Sequence, residues 1–184
     1  GNEEYEKQRK ITLKYARDFK SSEDNDELLE RLWRKRTKQG IANTPSNGFS
    51  NKEFNHLQKK LRKLTSQISK RCNFEAFNEA ERELTKWKDA KEIKGVYRTQ
   101  LARAYCTFYP NNFINWVTEP SINTVLKVFE PFEELRHDKK DGANWYSKSY
   151  SLRQKINAIN QKEEDKLNPE ELRKSVSSIV TWSC

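Results

Sequence analysis

Apolar side chains recur along this chain with a helical period and almost nowhere alternate. Residues 3–20 carry Ile11, Tyr15 and Phe19 four apart, which predicts a first helix broken by Ser21-Ser22. A second helix is expected over about residues 26–38, with Leu28, Leu29, Leu32 and Trp33 on its apolar side and Gly40 suited to its C-cap. Residues 40–49 (GIANTPSNGF) form the clearest loop. The strongest signal follows. Ser50-Asn51-Lys52-Glu53 has the form of a capping box, in which Ser50 accepts from the N3 amide and Glu53 reaches back to the cap. Phe54, Leu57, Leu61, Leu64 and Ile68 then recur at spacings of 3, 4, 3 and 4, a narrow seam that needs one partner helix. The second and third helices, joined by the 40–49 loop, are therefore expected to form an antiparallel hairpin.

Further along, residues 74–93 predict a helix with Phe77, Ala80, Leu84 and Trp87 on one face, interrupted at Lys94-Gly95-Val96. Residues 97–109 predict a shorter one with Leu101, Tyr105 and Phe108 inward, stopped by Pro110. Residues 113–117 (FINWV) alone have some strand character. Pro120 suits the N1 position of a helix over 121–129. Residues 136–144 read as a polar loop, Trp145, Leu152, Ile156 and Ile159 mark another helix, and Asn168-Pro169 opens a last one with Leu172, Val176 and Ile179 facing in. No internal repeat or low-complexity tract appears. The expected fold is mainly α: a multi-helix domain of about seven or eight helices, with a helical hairpin and at most one short extended segment.

Composition changes that picture in two ways. Apolar and charged residues each make up 34% of the 184 residues, so the helical layers should be thin; the 11% aromatic share supplies the area for a core and argues against disorder. Charge is unevenly placed. Of the net +9, residues 1–71 hold 18 Lys/Arg against 10 Asp/Glu, and residues 72–184 hold 18 against 17. This divides the chain into a basic helical region, 1–71, and a nearly neutral helical region, 72–184, which can equally form one continuous domain. No apolar run approaches the ~20 residues of a membrane helix, and no signal peptide opens the chain. Cys72, Cys106 and Cys184 have neither disulfide parity nor zinc spacing, which points to a reducing, cytoplasmic compartment. The sequence has no Met and begins Gly-Asn, so a fragment of a longer protein is expected.

Candidate chemistry is sparse. His56 and His137 have neither metal-ligand nor triad spacing, and five glycines provide no phosphate loop. Glu92-Ile93-Lys94 and Glu164-Asp165-Lys166 have the E-x-K spacing of a nuclease core, but in helical or polar context rather than on adjacent strands. No metal or cofactor is implied. The basic clusters are the better candidates for function. With Arg31 beside them, Arg34, Lys35, Arg36 and Lys38 crowd the end of the second helix, where the helix dipole alone would favour cations. Lys59, Lys60, Arg62, Lys63, Lys70 and Arg71 decorate the third helix away from its seam, where a solvated face is the structural explanation. Density, a shared third of the chain and the hairpin together make phosphate-backbone binding the functional one. Trp33, Trp87, Trp116, Trp145 and Trp182 could stack on bases, although most also complete an apolar stripe.

The stretch from Gln100 to Val117 (QLARAYCTFYPNNFINWV) reads as helix, then Tyr-Pro-x-x-Phe, then a short extended piece. A helix with Val125, Leu126 and Phe129 follows, and Trp145-Tyr146 opens another. Over about residues 94–160 this resembles the region upstream of the motor domain in McrB-like restriction proteins and related AAA+ ATPases. The resemblance implies a non-catalytic recognition or spacer domain, with a motor domain and a nuclease subunit as partners. The family's N-terminal region commonly recognises DNA, and its nucleotide-binding motifs are absent here. The matched motif is structural, Pro110 ending a helix and Phe113 filling a core, so it assigns no binding residues.

Three function classes follow: a nucleic-acid-binding domain, with duplex DNA as the expected ligand, in a larger restriction or defence NTPase; a helical protein–protein adaptor whose basic face meets an acidic partner; and an enzyme without a recognisable motif. On the first two, this chain alone hydrolyses nothing. A highly purified sample should turn over neither nucleotide nor DNA. Turnover abolished by a point substitution within the chain would establish the third.

Overall fold

Helix caps and apolar stripes locate the elements. The structure, a computed structural model, describes residues 2–22, 25–34, 40–41, 48–115, 117–138 and 142–164. Among these residues there are seven helices: α1 (Asn2–Ser22), α2 (Asp26–Trp33), α3 (Asn51–Lys70), α4 (Phe74–Asp89), α5 (Arg98–Phe108), α6 (Glu119–Phe129) and α7 (Trp145–Glu164). They contain no β-strand; the only extended pairing is an isolated parallel bridge between Arg34 and Phe49. No helix among them is long and apolar enough to cross a membrane. The expected helix opening at Asn168-Pro169, with Leu172, Val176 and Ile179, lies outside the described residues.

The N-termini of α2, α3, α4 and α6 use the capping side chains that the sequence offers, whereas Tyr97 gives α5 none. Asn25, Asn73 and Thr118 accept from the amides of Leu28, Ala76 and Ser121. The capping box of α3 is complete: Ser50 Oγ accepts from the Glu53 amide, and Glu53 Oε2 accepts from the Ser50 amide at 2.8 Å. The seam Phe54, Leu57, Leu61, Leu64 and Ile68 is wholly buried.

α2 and α3 form the expected antiparallel hairpin. At one end Arg34 Nη2 donates to Asn51 Oδ1 at 2.7 Å; at the other, Asp26 receives Gln58 Nε2 at 3.0 Å and Arg62 Nη2 at 2.5 Å. Between them Trp33, fully buried, donates from Nε1 to Thr65 Oγ1 at 2.9 Å. α4 returns antiparallel along the other flank of α3, with Lys60 bonded to Glu92 and Arg71 to Glu79.

The centre of the molecule is α5. Every residue from Gln100 to Phe108 is buried, and α1, α2, α3 and α4 all pack on this helix. Beyond it, Tyr105 meets Phe77, Phe113 and Tyr146 in an aromatic cluster that also takes in Trp145 and ties α7 to α4. One buried apolar cluster runs from Ala16 to Leu152, with side chains from both sides of residue 71.

Several expectations need correction. The second helix stops at Trp33 instead of near residue 38, because Arg34 is extended (ψ 154°) and Phe49 returns to bond its amide to the Trp33 carbonyl at 2.9 Å. Gly40 is therefore not a cap of that helix. It is buried at φ +63° against α1, where a Cβ would lie 2.2 Å from the Arg9 nitrogen. The helix expected over 74–93 closes at Asp89 in a Schellman motif. Lys91 (φ 59°) takes the left-handed position, its amide bonding Lys88 O and that of Glu92 bonding Trp87 O, each at 2.9 Å. Residues 113–115 and 117 form no strand; Phe113, Ile114 and Val117 enter the core from a loop, while Trp116 lies outside the described residues. On α1 the buried positions are Thr12, Ala16 and Phe19, so Ile11 and Tyr15 sit only at the margin of the stripe.

Leu61 lies at the middle of the α3 seam with no exposed surface. Leu61→Ala should cost about 2–5 kcal/mol in urea unfolding; an unchanged midpoint would show that the seam is not packed.

Candidate nucleic-acid interface

α3 has an unusual division of charge. Its only acidic residue, Glu53, is turned inward and 8% exposed. There Glu53 Oε1 accepts from the Lys94 amide at 2.9 Å and from Tyr97 Oη at 3.0 Å, in addition to its bonds to Ser50. Burial works to raise its pKa, but these hydrogen bonds outweigh it and hold the carboxyl below its ordinary 4.5. The outward face of α3 is therefore left with cations and no carboxylate of its own.

The ten basic residues singled out from the sequence separate into three groups. Arg34, Lys60, Arg62 and Arg71 are bonded to protein acids. Arg34 pairs with Glu30 at 2.5 Å and lies 5.5 Å from the Phe54 ring centroid. Lys60 pairs with Glu92 at 2.6 Å and lies over the Trp87 ring. Arg62 pairs with Asp26 at 2.5 Å, and Arg71 with Glu79 at 2.7 Å. The last three of these pairs tie neighbouring segments to the two flanks of α3. Lys35, Arg36 and Lys38 lie outside the described residues, so the hairpin-end cluster is represented by Arg34 alone. Lys59, Lys63 and Lys70 are exposed on the outward face, and no carboxylate among the described residues pairs with Lys59 or Lys63.

The structure adds Lys52 to that last group. At about 100° per residue, Lys52, Lys59, Lys63 and Lys70 fall within about 40° of one another around the helix. They form a straight row about 27 Å long. Exposed His56 lies beside it. Lys52 was hidden in the sequence by its place in the capping box, although its seven-residue offset from Lys59 was a usable signal. The dipole explanation holds for Arg31, in the last turn of α2, and for Arg34 at its C-cap.

Aromatic candidates divide just as clearly. Trp33, Trp87 and Trp145 are core residues; Trp116 and Trp182 lie outside the described residues. Among the described residues the exposed aromatic rings are Phe74, Phe132 and Tyr150. Of the E-x-K pairs, Glu92 is engaged with Lys60 in the turn after α4, and Asp165 and Lys166 lie outside the described residues. Burial raises the pKa of the Cys72 and Cys106 thiols, which disfavours thiolate chemistry. No family model, curated protein or solved structure matches this chain.

The lowered pKa of Glu53 fixes a sign. Its ionised form contributes stability above the unfolded value, and that contribution is lost as pH falls through the lowered folded-state pKa. Glu53→Gln should cost about 1–3 kcal/mol near neutral pH and reduce the loss of stability on acidification. Urea titrations near neutral pH and in acid would check this; parallel pH profiles for parent and variant would show that Glu53 is not coupled to folding.

Proposed function

We propose that this chain is a non-catalytic nucleic-acid-binding domain that holds the phosphate backbone of duplex DNA along the outward face of α3. The observation that carries the reading is the row Lys52, Lys59, Lys63 and Lys70, on a helix whose only acid faces inward. A duplex presents a dense line of negative charge, and each phosphate neutralised releases condensed counterions. A rigid row about 27 Å long spans about eight base-pair steps at 3.4 Å. Such contacts supply affinity and register without reading sequence.

Lys60 and Arg62 flank the row. Exposed ion pairs are worth only about 0–1 kcal/mol, so these cations can exchange a carboxylate for a phosphate at little cost. The resemblance of residues 94–160 to the region upstream of an McrB-like motor supports a wider setting, in which a motor domain hydrolyses nucleotide and a nuclease subunit cuts. In that setting this domain supplies only the grip on DNA.

The test is a salt titration of duplex binding. Four phosphate contacts correspond to a slope of log K against log salt of about −3.6. Lys59→Glu with Lys63→Glu should weaken binding to all sequences alike and flatten that slope by about 2, with the helical circular dichroism unchanged. A folded double variant that binds as tightly as the parent would refute the interface. Tight binding to an acidic protein, with no duplex affinity in the parent, would establish the adaptor reading.

A further inference from the structure

The row on α3 ends at Lys70, and the chain enters α4 four residues later at Phe74. Over that distance the two Cα atoms lie at most about 14 Å apart. Phe74 is 47% exposed although it is a phenyl ring. Its ring centroid lies 5.9 Å from that of Tyr146, which supports it from the protein side. Tyr146 in turn stacks on Tyr150, itself 37% exposed, at 6.0 Å and 6°.

Phe74 forms one wall of an open cleft of about 710 Å³ on the outer flank of α4. Asn78 and Arg82 follow it at four-residue spacing, and Thr85 and Arg98 close the far end. The charges here nearly cancel, with Arg82 and Arg98 set against Glu75 and Glu81, and Arg98 bonded to Glu81. A charge-balanced cleft is a poor phosphate site. A flat, uncharged heterocycle matches it better: the ring offers a stacking face, and the Asn78 amide offers a donor and an acceptor at its edge. Arg82 stands one turn beyond Asn78 on the same wall.

We propose that this cleft stacks an unpaired nucleobase on Phe74, so that the preferred ligand is duplex DNA with a single-stranded extension. The duplex lies along the α3 row, and the extension rounds the start of α4 into the cleft. Bases inside a duplex are covered on both faces, whereas an unpaired base has a π-face free for the ring. The inference rests on the proposed grip of α3 and adds the class of DNA end that it prefers.

The experiment uses the whole chain and two labelled probes, a blunt duplex and the same duplex with a thymine extension of about ten nucleotides. Fluorescence anisotropy at one fixed salt concentration should show tighter binding of the extended probe. Phe74→Ala should weaken that probe by about 5- to 100-fold and leave the blunt duplex unchanged. Phe74→Leu, which keeps an apolar contact with Tyr146, and Asn78→Ala on the open side should also act on the extended probe alone. They read the cleft even if Phe74→Ala fails to fold. A 2-aminopurine placed in the extension should be quenched by the parent and not by Phe74→Leu. Equal affinity of the parent for both probes, or a folded Phe74 variant that binds the extended probe like the parent, overturns the inference while leaving the α3 grip standing. Binding of neither probe by the parent overturns both.

Discussion

A buried guanidinium holds the middle of this structure together. Arg103 lies on α5, 2% exposed, and donates from Nη1 to the carbonyl of Leu32 at 3.2 Å and to that of Arg31 at 3.4 Å. Those carbonyls belong to the last turn of α2, where helix geometry leaves acceptors unsatisfied and the dipole is negative. Burial pushes the group down to about 10, still far enough above neutrality to keep it charged. A charge taken out of water is costly unless it is hydrogen-bonded, so α5 and the end of α2 are bound to one geometry. Eight residues are too few for a helix that must stand alone. α2 therefore exists because α5 caps it and α3 packs on it. The outward face of α3 is aimed from behind, through buried Trp33 on Thr65.

What could be read from the sequence follows from how many faces each helix presents. α3 has one dry face, so its seam and capping box appeared as a plain periodic pattern. α5 has none. Leu101, Tyr105 and Phe108 were visible as a stripe, but Gln100, Arg103 and Thr107 are just as buried, and no amphipathic pattern marks a helix enclosed on all sides. The small residues Ala102, Ala104 and Cys106 were the available hint, because they let neighbours approach closely. The end of α2 was hidden for a different reason. The sequence after Trp33 has good helix propensity, but Arg34 is extended and the Phe49 amide takes the Trp33 carbonyl that a further turn would use. The stop of α4 at Lys91 was similar: a lysine occupies the left-handed position that a sequence reading assigns to glycine.

The candidate site was legible as a charge count and illegible as a surface. Which cations are already engaged depends on partners far along the chain: Asp26 is 36 residues from Arg62, and Glu92 is 32 from Lys60. Only the folded arrangement separates cations that pin helices together from cations that face solvent. The same sorting relocates the aromatic candidates. Trp33, Trp87 and Trp145 went to the core, as their positions in apolar stripes favoured, and Phe74 came out of it at the head of its own helix.

Placing the one acid of α3 inward has an energetic consequence. Glu53 is used as a strut between the start of α3, the turn at Lys94 and Tyr97, and so cannot screen the lysines on the opposite side. Lys59 and Lys63 stand one turn apart with the same charge, an arrangement that costs about 0.2–0.5 kcal/mol in a solvated helix. Lys52 and Lys70 extend the same line at either end. Folding supplies carboxylate partners that lower this cost for Lys60 and Arg62 but, among the described residues, not for Lys59 and Lys63 between them. A polyanion laid along the row would relieve the repulsion and, by binding only the folded state, shift the folding equilibrium as well. Under the proposed function, stability and binding then share one electrostatic term, and the helix face that adds least to the fold is the one from which a ligand gains most.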